Sequence, residues 1–262
     1  MFEVARYEAE RRLLGAVVVT LGFVAFAAMM LVIAPGLLNQ VDLTAYADQL
    51  PPALVESFGL ETIGTLAGFI AAELYVFGWV FGLGAYLAYL AAGSIAGRIE
   101  DDTLSLVVTG PISRTRVLWE TYLALLVPIV LANVVVAAVV YGGSVLIGDP
   151  LPPRDVLAVH ALSVPYLLCC TALGLACSVL APSRRVAEGA AAGFVAATYV
   201  LGIATTGSDI SWLGALGPAH YYDPVAVLAL SEYDFGGAAL LLLATAALLL
   251  VAAARFREVD LR

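Results

Sequence analysis

Lysine is absent from this 262-residue chain; all 12 of its basic residues are arginine. That absence removes whole classes of chemistry. A Walker A loop needs its lysine at the β/γ-phosphates, and a Schiff-base enzyme needs a lysine amine. If ATP drives this protein, another chain binds it. Charge of either sign is scarce, at 13% of residues against 62% hydrophobic, and the mean hydropathy is +0.98. Soluble domains carry about 25% charged residues, so the solvent for this much apolar surface is lipid.

Other reactive residues are equally sparse. The three cysteines, Cys169, Cys170 and Cys177, fall in one apolar run with no histidine or acid at metal-ligand spacing, and read as small apolar filler. The two histidines, His160 and His220, are far apart in sequence, sit at the edges of apolar runs and make a weak pair for any site. No H-E-x-x-H motif, nucleophile elbow or pair of intramembrane acids is present. An intramembrane enzyme therefore has little to work with. A secondary transporter wants several ionisable groups at mid-membrane, and only Glu73 qualifies; both remain as alternatives. The arginine-only, acidic composition resembles that of proteins from salt-loving archaea, although a GC-rich genome gives the same lack of lysine.

What the chain does have is six apolar runs of bilayer length, about 20 residues. They cover roughly residues 14–34, 71–96, 118–147, 156–180, 189–206 and 236–254. The third is longer than a bilayer requires and reads as tilted or extended past the lipid. Three acids and Arg11-Arg12 precede the first run, which suits a retained anchor better than a cleaved signal. The fold expected is an all-α integral membrane protein, a single permease-like domain over residues 1–262.

Arginine fixes the orientation. With six spans, both termini and the second and fourth loops share a side, and that side holds eleven of the twelve arginines; only Arg154 lies opposite. The positive-inside rule places that side, with both termini, in the cytoplasm. Ten acids lie on the other face, which carries about −9 while the inner face carries about +1. That outer charge either attracts cations or keeps the loops soluble.

The loops add detail. Phe2, Ala5, Ala9 and Leu13 recur at helical spacing, with Arg6/Glu10 and Glu8/Arg12 as i,i+4 pairs. They read as a short interfacial helix or as an ordinary juxtamembrane flank. The outer loop 35–62 contains Pro51-Pro52, a helix start. Glu73 falls near the outer end of span two, either as a pathway acid or as a carboxylate that reaches interfacial water. The outer segment 207–235 is broken by Gly and Pro. Its middle opens with Asp223 as N-cap and Pro224 at the first helical position, too short to span, so it lies at the interface or dips in and returns. Three GxxxG spacings, Gly78/Gly82, Gly93/Gly97 and Gly189/Gly193, permit close helix approach.

The densest polar chemistry is the island at residues 97–116, between spans two and three. Glu100-Asp101-Asp102 supplies acceptors and negative charge for a following helical turn. Leu104, Val107 and Val108 form one apolar stripe on a helix of barely two turns. Thr109-Gly110 stops it, and Pro111 suits the start of the helix that becomes span three. The product is a small helix held crosswise at the membrane surface, its acidic start and apolar face available to another protein.

This island resembles the signature loop of ABC transporter permeases of the exporter-type (type-2) class, in which a Glu precedes Gly-Thr-Leu, followed by apolar residues and then a small residue-Pro-x-Ser-Arg. Glu100-Asp101-Asp102-Thr103-Leu104 and Pro111-Ile112-Ser113-Arg114 follow that order. The departure is Asp102, where the family usually has Gly. The likeness extends to the cytoplasmic ends, the six spans, the long first outer loop and the broken segment before span six.

The resemblance implies a permease half that pairs with a second permease, as homodimer or heterodimer, and with two separate ABC ATPase subunits. It implies a plasma-membrane location and export. The chain itself would hold no cofactor, since ATP and Mg belong to the ATPases, and no nucleic-acid partner. The loop would be a coupling helix seated on the ATPase. Leu104, Val107 and Val108 would be the apolar contact, with Glu100, Asp101, Asp102, Thr103, Pro111 and Ser113 shaping the loop. Arg114 would be an ionic contact or a clamp on the loop itself.

Overall fold

A computed structural model describes residues 3–101 and 113–258 of the chain. Among these the protein is helical with no strands, and six helical segments are long and apolar enough to cross a membrane. These are span one, Glu10–Gln40; span two, Leu66–Glu100; span three, Arg114–Leu146; span four, Pro153–Leu180; span five, Arg184–Thr205; and span six, Phe235–Glu258.

Helices overrun the apolar runs at most ends, because a helix breaks where its backbone loses hydrogen bonds rather than where the lipid stops. The first helix is continuous from Glu3 to Gln40, through Pro35. Of the residues read as a separate interfacial helix, Ala5, Ala9 and Leu13 belong to its first turns, and Phe2 lies outside the described residues. Span three is interrupted at Leu125, between helices Arg114–Ala124 and Leu126–Leu146. The cause is Pro128, which offers no N–H and crowds the carbonyl four residues back, that of Ala124.

Span two departs furthest from a regular helix. It starts with Thr65, whose side chain accepts the Gly68 N–H, and runs as α-helix over Leu66–Ile70. It then winds as π-helix over Ala71–Leu83 before returning to α-helix over Gly84–Glu100. Such winding is rare, mostly confined to single turns, and frequent at functional sites. Nothing in an apolar run distinguishes it from an ordinary span.

Spans two and four form the centre. The apolar window of span two is 67% buried and that of span four 61%, against 28% for each of spans one and five. Span four packs against spans two, three, five and six, whereas span one rests mainly on span three. Gly174 permits the central approach, since a Cβ there would collide with the Ala88 carbonyl of span two. Ser178 of span four accepts the Ile95 and Ala96 amides at 3.0 and 2.9 Å. A second apolar cluster, including Ile95, Leu118, Leu175 and Phe256, joins spans two, three, four and six at the arginine-rich end.

The segment before span six is broken as expected. It comprises two 3-10 turns, Ser211–Leu216 and Pro218–Tyr221, and a short helix, Pro224–Leu230. Asp223 caps that helix by accepting the Val225 and Ala226 amides at 2.8 and 3.1 Å. The helix ends at Ser231, in the left-handed conformation with φ 57°. It packs against span four and the π-wound part of span two, and the chain then returns to begin span six at Phe235.

Candidate functional site at the loop between spans two and three

Of the loop residues singled out by sequence, Asp102, Thr103, Leu104, Val107, Val108 and Pro111 lie outside the described residues. Glu100, Asp101, Ser113 and Arg114 are described, and they fix both ends of the loop.

Glu100 is the last residue of the span-two helix. The sequence reading has its carboxylate capping the turn that follows. That turn lies outside the described residues; within them, Glu100 Oε1 accepts the backbone N–H of Arg184, at 2.8 Å, on the first residue of span five. Asp101 follows as the C-cap, its amide bonded to the Gly97 carbonyl at 3.0 Å. The guanidinium of Arg184 turns to Glu188 at 2.7 Å, and the pair lies over Gly93 and Gly97 of span two. A Cβ at Gly93 would meet the Glu188 carboxylate, and one at Gly97 would lie 3.3 Å from Cδ of Arg184.

At the loop's other end, Ser113 caps span three by accepting the Arg116 amide at 3.3 Å. Arg114, the first helical residue, reaches the far end of the chain. Its Nη1 approaches the Phe256 and Arg257 carbonyls of span six at 3.4 and 3.3 Å. Arg257 returns the contact, its Nε donating to Thr115 Oγ1 at 3.2 Å. Arg116 pairs with the buried Glu120 at 2.6 Å.

The second sequence candidate, Glu73, lies in the π-wound stretch, half-buried, with no hydrogen bond to its carboxylate among the described residues. It stands apart from the loop and is not brought together with it.

The sequence reading missed a buried polar cluster. His160, in the early turns of span four, is only 5% exposed and lies inside the bundle. Asn133 Nδ2 donates to the Ile129 carbonyl at 2.9 Å. That carbonyl only accepts, so the amide oxygen of Asn133 must face Ser163 Oγ at 2.9 Å and His160 Nδ1 at 3.1 Å. Nδ1 of His160 therefore carries the hydrogen, and Nε2 accepts from the Tyr75 hydroxyl at 2.8 Å. Trp79 stands edge-on to the same imidazole. Spans two, three and four meet through these side chains. The available signal was Asn133 itself, a lone amide in a long apolar run, which in lipid must find partners.

Two cavities flank span five. One of about 450 Å³ at the acidic end is lined by Val76 and Val80 of the π-wound stretch, Tyr199 of span five, and His220, Tyr222 and Asp223. The Tyr199 hydroxyl is buried there without a hydrogen-bond partner among the described residues. The other, an apolar groove of about 490 Å³, lies along span six over Cys169 and Leu173 of span four, with Phe194 of span five and Leu216 and Tyr221 of the turns before span six completing its lining. Among the described residues no three His, Cys, Asp or Glu are grouped to hold a metal ion.

Against known families, the model described as ABC-2 family transporter protein matches residues 10–261. No curated protein matches the chain. The family match carries nothing about a saline source, and the secondary-transporter reading gives way to it. Its extent covers all six spans, and the chain accordingly belongs to the ABC-2 transporter family, as a membrane permease subunit of an ABC transporter.

Proposed function

We propose that the loop over residues 97–116 is where this permease receives the work of ATP hydrolysis. The chain has no lysine for a Walker A loop, and its family implies an ATPase partner. On this reading two ABC ATPase subunits hold ATP and Mg and seat against Leu104, Val107 and Val108. A second permease, identical or homologous, completes the assembly. The whole chain acts as one permease domain, with its arginine-rich end and both termini in the cytoplasm of a plasma-membrane transporter. Export follows from the resemblance of the loop.

The observation that carries this reading is the anchoring of the loop's ends. Glu100 reaches span five and Arg114 reaches span six, so a push on one short segment meets spans two, three, five and six together. The cavity of about 450 Å³ at the acidic end, between spans two and five, is the proposed substrate space, and Glu73 the proposed pathway carboxylate.

Loss of an interface anchor costs about 2 kcal/mol or more, roughly thirtyfold in affinity. Leu104→Asp is expected to leave membrane insertion intact, to weaken co-purification of the ATPase by at least that factor and to abolish ATP-coupled transport. Full ATPase association and coupling in that variant would overturn the assignment of the loop.

A further inference from the structure

Glu100 and Arg114 are each placed against the dipole of their own helix. A carboxylate belongs near a helix N-terminus and a cation near a C-terminus. Glu100 instead ends the span-two helix and Arg114 begins the span-three helix. Among the described residues each meets the complementary end of a neighbouring helix. The Glu100 carboxylate faces the positive end of span five, where it satisfies the Arg184 amide, one of the donors a helix start leaves unpaired. The local cap there, Ser183 to the Val186 amide, is long at 3.4 Å. The Arg114 guanidinium faces the negative end of span six, over its last carbonyls. Those contacts are too long for strong hydrogen bonds, so the guanidinium acts there chiefly as charge. The two ends of one loop are thus fastened to two different spans; span six lines one side of the apolar groove over Cys169 and Leu173, and span five reaches that groove through Phe194.

We infer that Glu100 and Arg114 are positioning residues that deliver movement of the loop separately, Glu100 to span five and Arg114 to span six. The inference rests on the proposed coupling role of the loop and gives Glu100 and Arg114 partners on the permease's own spans, beyond the shaping of the loop. Displacing the loop then moves span six along the groove and, through span five, Phe194 in its lining, and a tilt of the loop moves one span more than the other.

The test is hydrogen exchange on the permease–ATPase complex in lipid nanodiscs, with and without ATP, Mg and vanadate, read at residues 184–190 and 250–258. In the unaltered protein both regions are expected to change exchange with nucleotide. Glu100→Ala should erase the change in span five and leave that in span six. Glu100→Gln, which keeps an acceptor oxygen, should restore most of it. Arg114→Ala should do the converse, with Arg114→Lys, which keeps the charge, restoring the response. If Glu100→Ala does not assemble, Glu100→Asp, whose shorter side chain withdraws the carboxylate, takes its place with the same expectation.

A purely structural role would instead raise exchange equally with and without nucleotide, and that result overturns the inference. So does a nucleotide response that survives at both spans in both variants, or one that vanishes at both spans in either. These outcomes presuppose a responsive unaltered complex. An unresponsive one, or an undiminished response in Leu104→Asp, overturns the coupling role of the loop and the two tethers with it.

Discussion

The hydroxyl of Tyr166, in the middle of span four, donates a 2.6 Å hydrogen bond to the Val80 carbonyl within the π-wound stretch of span two. Tyr166 is fully buried, so this bond forms away from water, where an unmet carbonyl is costly. Gly84 makes the space for it, since a Cβ there would collide with the same hydroxyl. Tyrosine, carbonyl and glycine form one fitted contact at the point where span two returns from π- to α-winding.

Tyr166→Phe is accordingly expected to destabilise the purified permease by about 1–3 kcal/mol, the cost of leaving a buried acceptor without its donor. Gly84→Ala, an overpacking change, should cost about 1–3 kcal/mol. The two should not add. Without the hydroxyl, the alanine methyl meets less resistance, and the double variant should retain at least about 0.5 kcal/mol more stability than the sum predicts. Thermal unfolding in detergent measures all three; strict additivity would mean that Gly84 serves some other contact.

A buried acid ties down the acidic end. Asp155, at the start of span four and 4% exposed, accepts from Ser231 Oγ at 2.9 Å and from the Tyr233 hydroxyl. The Arg154 guanidinium lies over the Tyr233 ring, 4.8 Å from its centroid. These contacts fasten the stretch that follows helix Pro224–Leu230. The hydrogen bond to Asp155 holds the Tyr233 phenol above its ordinary pKa, with partial desolvation and the Asp155 charge adding to the effect. A raised pKa means that the folded state favours the protonated phenol. The stabilisation is therefore complete below the ordinary phenol pKa of about 10 and is lost as pH rises above it through the folded value. Stability should fall more steeply between about pH 9 and 11 in the unaltered protein than in Tyr233→Phe, which has no proton to lose there. Parallel slopes in thermal unfolding across that range would exclude Tyr233 as a contributor.

Much of the architecture was legible because lipid imposes simple rules. A run of apolar residues long enough to cross has to be a helix, and arginine sorts the loops. The cap at Asp223-Pro224 was legible too, since its chemistry is local: one side chain, two amides and a fixed proline φ. The anchoring of the loop was not. Glu100 bonds a residue 84 positions away and Arg114 one 142 positions away, and no periodicity announces either. Read locally, Glu100 points to the next turn; its bond to the start of span five, near in space and remote in sequence, leaves no local sign. The π-winding of Ala71–Leu83 is hidden for another reason: no local residue pattern sets this apolar run apart from an ordinary span, and contacts such as that of Tyr166 come from a neighbouring span.

The GxxxG pairs show the same limit and yield a direct test. Gly93/Gly97 and Gly189/Gly193 are equivalent as sequence, but the first pair lies beneath the Arg184–Glu188 ion pair whereas nothing lies within 4 Å of a Cβ at either member of the second. Glu188 is 11% exposed in its side chain, and displacing it from Arg184 would strand a nearly buried carboxylate. Gly93→Ala is therefore expected to destabilise the permease by about 1–3 kcal/mol. Gly189→Ala should be neutral or stabilising by up to about 1 kcal/mol, the helix-propensity gain of alanine over glycine. Thermal unfolding of the two variants side by side decides the matter. Equal losses would mean that span five meets a neighbour at Gly189 outside this chain, which a concentration-dependent unfolding midpoint for the unaltered protein would reveal.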